Sequence, residues 1–205
     1  YLLHADPRFG RGRGGLLLVG PHPPWLDYVA DVLPSLGEES VQAHLLRDLV
    51  PEGADALPEP DPTVARLKST AAMVGAIEAA VRVYEEAPTE GLLVETPWAD
   101  LWLSAADWAE CFEAPDPGVP HNEARAQVRD AAVELLLDKY DGREVPRETL
   151  QATLERHPAL DEVLSGAWPL LDPVELVGDL WEVPAYLRHC APWLAPEEAA
   201  VLRRP

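Results

Sequence analysis

Apolar residues run unbroken from Leu16 to Val19, between Gly15 and Gly20. Such a run predicts a strand buried in a parallel sheet. After Pro21, His22, Pro23 and Pro24 the period changes. Trp25, Leu26, Val29, Val32 and Leu33 fall at helical spacing, with Pro24 near the first turn and Gly37 past the end. Val41–His44 predicts a second short strand, and Leu45–Leu49 a helical turn. Strand, helix, strand is the texture of an α/β domain, but one such unit is too small for a self-sufficient sheet. Upstream, Tyr1-Leu2-Leu3 reads as the last turn of a helix begun elsewhere, and the Gly-rich stretch from Asp6 to Gly15 as a loop.

Between residues 51 and 62 the pattern stops. Pro51, Pro58, Pro60 and Pro62 alternate with Glu52, Asp55, Glu59 and Asp61. A stiff, acidic connector of this kind marks a domain boundary, placed at 50/51. It is either a solvated linker or an acidic finger that meets a partner.

Beyond it the period is helical almost throughout. Val64, Leu67, Ala71, Val74, Ile77, Val81 and Tyr84 predict one helix from Thr63 to about Glu86, with Thr63 as its N-cap. Gly91–Trp102 reads as a small hairpin or packed loop. Ser104 caps a short helix through Phe112, and His121–Tyr140 is a long amphipathic helix ended by Gly142. Its apolar face carries Ala124, Val128, Ala131, Ala132, Leu135 and Leu136. Five short helices follow, at 146–156, 158–167, 172–181, 184–190 and 196–203. Each has a proline at or near its start, where the missing N–H costs little. Asp172 is placed as an N-cap. The expected architecture is therefore mainly α. A multi-helix orthogonal bundle over 51–205 is attached to a small α/β remnant over 1–50.

Composition sharpens this picture. The 205 residues are 47% hydrophobic, enough to bury a core. The formal net charge is −20, which repels nucleic acid and anionic membranes and favours basic protein surfaces. The same charge also serves solubility. The seven tryptophans are core residues or, for one or two such as Trp98 and Trp102, exposed anchors at a protein interface. Cys111 and Cys190 show no metal or disulfide spacing, which fits a reducing, cytoplasmic setting. No apolar run reaches the roughly 20 residues that span a bilayer.

No catalytic pattern emerges. GxxxxGK[ST], GxGxxG, GxSxG and HExxH are absent. Cys111, beside Phe112, reads as a buried structural thiol. Cys190 adjoins His189, but neighbouring residues on a helix point apart. The histidines show no metal-ligand pairing, and His121 and His157 stand beside prolines near helix ends. Glu85-Glu86 and Glu197-Glu198 read as solvated helix faces. The basic cluster of Arg8, Arg11 and Arg13, with Arg203 and Arg204 at the other end, is sparse for nucleic-acid binding. No catalytic, cofactor-binding or metal residues are assigned.

The block from Gly15 to Val29, continued by Val32-Leu-Pro-Ser-Leu-Gly37, resembles a conserved block of actinobacterial HelD-type proteins, approximately VGPNPxFLxYIxxVLPSLGE. These are helicase-like ATPases of superfamily 1, related to UvrD and Rep, that bind RNA polymerase. Pro120-His-Asn-Glu-Ala-Arg125 and the stretch from Trp168 to Arg203 resemble parts of that family's inserted domain more loosely. The resemblance implies that residues 1–50 belong to the first RecA-like domain and the rest to the insertion. It implies an ATP-binding loop before Tyr1 and a Mg-binding motif after Pro205, so ATP and Mg are expected for the parent and neither for this segment. It implies RNA polymerase as partner. It also places Gly20, Pro21, His22, Pro23 and Trp25 where related helicases touch single-stranded DNA. Two departures stand out. His22 replaces the usual Asn, and the stretch 42–53 keeps only Asp48, Leu49, Pro51 and Gly53 of the pattern STIGDLYPG.

Overall fold

The computed structural model describes residues 16–35, 41–142 and 144–202. The Tyr1–Leu3 turn, the Gly-rich loop, Gly37 and the arginines at 8, 11, 13, 203 and 204 lie outside them. The described chain is mainly helical, with two small two-stranded sheets. It divides into two compact units, Tyr1–Pro60 and Asp61–Pro205.

In the first unit β1 (Leu16–Gly20) and β2 (Val41–Leu45) pair in parallel, Leu16 opposite Val41 and Gly20 opposite Leu45, joined through α1 (Pro23–Ser35). This is the strand–helix–strand unit that the periodicity predicts. Gly20 is required at the junction, because a Cβ there would stand 2.4 Å from the Trp25 ring and 2.7 Å from Leu26. α1 therefore covers the face of β1 that carries Leu18 and Gly20. The other face is bare. Leu17 is 50% and Val19 43% exposed, so β1 is not the buried strand its composition predicts. A parallel strand is normally covered on both faces, and among the described residues only one face of β1 is covered.

The residues after β2 form two short 3-10 turns, Leu46–Leu49 and Pro51–Ala54. They fold onto each other: a Cβ at Gly53 would lie 1.6 Å from the Arg47 carbonyl oxygen, so only glycine fits. The first half of the Pro-rich acidic stretch is thus part of the first unit, and the units part at Pro60–Asp61.

The second unit begins with α2 (Pro62–Lys68) and α3 (Ala72–Arg82). One continuous helix is predicted here, and the chain makes two. Ser69 and Thr70 turn their hydroxyls back onto the carbonyls of Arg66 and Leu67, competing with the helix for its own acceptors. The cap also lies earlier in the chain than predicted. Asp61, not Thr63, accepts from the N–H groups of Thr63 and Val64, with Pro62 in the first turn.

A hairpin follows, β3 (Leu92–Glu95) antiparallel to β4 (Asp100–Leu103). Then come α4 (Ala105–Glu113), α5 (His121–Lys139), α6 (Arg147–Leu154) and α7 (Pro158–Ala167). α8 (Pro173–Glu182), α9 (Pro184–Cys190) and α10 (Pro196–Leu202) complete the unit. Asp172 caps α8 as predicted, accepting from Val174 and Glu175. Gly142 is not the predicted helix stop. The last turn of α5 closes at Tyr140, whose ring lies where a Gly142 Cβ would be.

Two apolar clusters hold this unit. One joins the inner face of the hairpin to α4–α7 around Trp108, Val128, Leu136, Leu150 and Leu164. The other joins α2, α3 and α8–α10 around Leu67, Ala76, Leu180, Leu187 and Leu202. Among the described residues no polar or charged side chain is buried, and no helix is long and apolar enough to cross a membrane.

Candidate functional site

The Gly20–Trp25 block lies at the carboxyl end of a parallel strand and opens a helix. Ligands of α/β sheets bind at such ends. Pro21, His22 and Pro23 are exposed, and Trp25 is half-buried against Gly20. His22 caps the helix start. Its Nδ1 accepts from the Trp25 N–H at 3.2 Å, and its carbonyl accepts from Trp25 and Leu26. Asn serves the same purpose at a helix start, so the His22 departure preserves the cap.

The four acidic residues of the connector differ in their settings. Glu52 and Asp55 are exposed beside the second 3-10 turn, and Glu59 is half-buried. Asp61 is the cap of α2.

The two tryptophans of the hairpin also part company. Trp98 sits in the turn and packs partly against the core. Thr96 organises that turn, donating its hydroxyl to the Ala99 carbonyl at 2.7 Å and accepting from the Ala99 N–H at 3.1 Å. Trp102 is on the outer face, 52% exposed, opposite Leu93, which is 46% exposed. Its ring fills the space a Gly91 Cβ would take, 2.2 Å from that position, and so is held flat to the hairpin edge. Of the other tryptophans, Trp108 and Trp168 are buried and Trp193 is 44% exposed.

Lys139 anchors the hairpin from below. Its ammonium donates to the Trp102 carbonyl at 3.0 Å and to Asp107 Oδ2 at 2.6 Å. Asp107 also accepts from the Ser104 N–H and hydroxyl. The bond from Lys139, reinforced by those from Ser104, holds the Asp107 carboxyl down at about 2, against the ordinary 3.8.

His121 joins the two apolar clusters in a way the sequence does not reveal. Its ring stacks on Trp168 at 5.0 Å and 9°. Nε2 donates to the Pro169 carbonyl at 2.8 Å, and Nδ1 pairs with the Glu85 carboxylate at 2.8 Å. Trp168 Nε1 donates back to the His121 carbonyl, and Asn122 exchanges two bonds with the backbone of Leu171. These partners lie 36 to 49 positions away in sequence, beyond the reach of periodicity. Next to this clasp an open groove of about 600 Å³ is lined by Val74, Ile77, Glu78, Arg82 and Val119. A second groove, of about 420 Å³, lies among Leu187, Arg188, Pro192 and Leu194.

The two cysteines lie in the interior of the second unit. Cys111 is fully buried, and burial pushes its thiol up to about 11; burial raises Cys190 as well. Among the described residues no group of His, Cys, Asp or Glu is placed to hold a metal ion. What the described residues offer is surface: an exposed strand-to-helix junction in one unit, and in the other an acidic exterior with an aromatic set on a hairpin. No protein-family model and no curated protein matches the chain.

Proposed function

We propose that the first unit is one strand–helix–strand segment of a larger parallel sheet, the RecA-like domain of a HelD-type ATPase, and that residues 61–202 form an inserted helical module that holds RNA polymerase. The observation that carries this reading is the bare face of β1. Among the described residues of the first unit no hydrophobic side chain is buried, while Leu17, Val19, Tyr28, Leu46 and Leu57 are exposed. A parallel pair with an apolar outer face needs further layers, and an ATPase domain supplies them. The parent's ATP and Mg would bind through residues outside this segment. The second unit would then be an orthogonal array of short helices whose acidic exterior competes for the basic channels in which a polymerase holds nucleic acid.

A pull-down of RNA polymerase by the parent protein and by a version lacking 61–205 tests this. Capture by the first and little by the second is expected. Equal capture by both would sink the reading.

One observation favours a second reading for the first unit. Pro21, His22 and Pro23 are exposed at a strand end and helix start, where single-stranded DNA would meet a translocating motor. An unwinding assay on the parent with Pro21→Ala and His22→Asn separates the two readings. His22→Asn keeps the cap, so an unwinding loss confined to Pro21→Ala assigns DNA contact to the backbone turn. Unchanged unwinding in both variants removes this reading.

A further inference from the structure

The outer face of the β3–β4 hairpin carries two cross-strand rungs. One is Leu93 opposite Trp102, both exposed; the next on the same face is Glu95 opposite Asp100. Two carboxylates directly opposite each other repel, and a hairpin gains nothing by placing them so. No ion pair of the described residues reaches either: Lys139 is engaged by Asp107 below, and the ion pairs of Arg129 and Arg147 run to Asp161, Glu134 and Asp138. Glu95 gives only its backbone carbonyl to His157. Beside these charges lies the Trp102 indole, packed over Gly91 and 52% exposed.

We propose that this face docks an extended segment of a partner protein that presents two arginines in alternate positions. The match is chemical and metrical. A guanidinium stacks on an indole and pairs with carboxylates, which a compact ammonium does less well. Alternate residues of an extended chain share a face and lie two strand positions apart, as do the Trp102 and Glu95 rungs. Leu93, opposite Trp102 on the same rung, supplies an apolar seat for an arginine stem. The carboxylate pair is thus a destabilising element kept for its partner. The inference rests on the partner-binding reading of residues 61–202 and adds the surface and the chemistry it reads.

The test uses the full 205-residue chain. An acetylated, amidated peptide Ser-Arg-Leu-Arg-Ser is titrated by calorimetry and by the indole N–H signals in NMR spectra. A citrulline-for-arginine version serves as the uncharged control. The arginine peptide is expected to move the Trp102 signal and the citrulline peptide to leave it in place. Trp102→Ala and the pair Glu95→Gln with Asp100→Asn each weaken binding by about tenfold. The amide pair also raises the urea midpoint, because the repulsion is gone. That combination, weaker binding with a more stable fold, is not expected of residues with a structural role alone. Equal binding of both peptides, no loss in either variant, or no shift of Trp102 overturns the proposal.

Polymerase capture by the parent separates this inference from the reading beneath it. Capture that is lost on deleting 61–205 but intact in the Trp102→Ala parent leaves the polymerase reading standing and removes the hairpin from it. Absence of capture by the intact parent removes polymerase, while the peptide titration still decides the arginine site.

Discussion

The two units use the same apolar alphabet to opposite ends. From Leu16 to Leu57 the chain supplies leucines, valines, a tryptophan and a tyrosine, and among the described residues buries none of them. From Val64 to Leu202 the same residue types close two cores around Trp108, Leu136 and Leu180. The difference is one of layers. Helices of the second unit meet on several sides, whereas β1 and β2 have α1 on one side and nothing described on the other. Among the described residues the second unit closes two cores of its own and the first closes none.

The largest effect that tests this contrast is a core truncation. Leu136→Ala, at a fully buried site, is expected to cost about 2–5 kcal/mol in urea unfolding. Leu17→Ala, the equivalent change on β1, is expected to stay within about 0.5 kcal/mol. Similar losses at both positions would erase the distinction between the units.

The cap comes next. Asp61→Ala removes the acceptor for two N–H groups of α2 and is expected to lower stability by about 1 kcal/mol. This also assigns Asp61 between its two candidate roles. A polymerase pull-down with an Asp61→Asn parent, which keeps a capping side chain, is expected to match the unaltered protein. Lost capture there would return the residue to the interface.

A pH series sharpens the picture of the hairpin's anchor. Asp107 is held at about 2 by Lys139 and Ser104, below its ordinary 3.8. A depressed carboxyl stabilises the fold above the ordinary value, and the benefit fades as pH falls through the folded one. The gap in urea midpoint between the unaltered chain and Asp107→Asn is therefore expected to be full at pH 5, to shrink below pH 4 and to vanish only below pH 2. A constant gap across that range would mean that the charge of Asp107 contributes nothing.

Much of this fold is legible in the sequence, for reasons that differ by region. The extent of α5 is legible because its apolar stripe repeats over five turns; Ala124, Val128, Ala132 and Leu136 of the predicted face are buried, whereas Ala131 and Leu135 are half-buried and Val133 and Leu137 take their place in the core. The short C-terminal helices are legible because prolines and Asp172 mark their starts. The break between α2 and α3 is hidden, since apolar spacing continues across it and only the hydroxyls of Ser69 and Thr70 interrupt the bonding. The bareness of β1 is hidden too. Leu16–Val19 is written for a buried strand, and whether a layer covers it is a property of the whole sheet.

The candidate sites are less legible than the elements. Alternation on β4 separates Leu101 and Leu103 inside from Trp102 outside, yet a tryptophan by itself reads equally as core. The opposition of Glu95 and Asp100 depends on register, which the Thr96–Ala99 turn sets. For His121 the sequence offers only a capping position. Its stacking on Trp168 and its bonds to Glu85 and Pro169 need three segments brought together by the two cores.

The most direct test of the contrast between the units is native-state hydrogen exchange on the 205-residue chain, resolved residue by residue. Amides of α5 are expected to exchange only through global unfolding, while those of β1, β2 and α1 exchange through openings that cost almost nothing. Protection of β1 and α1 equal to that of α5 would contradict the contrast, and would show that the first unit needs no further layer.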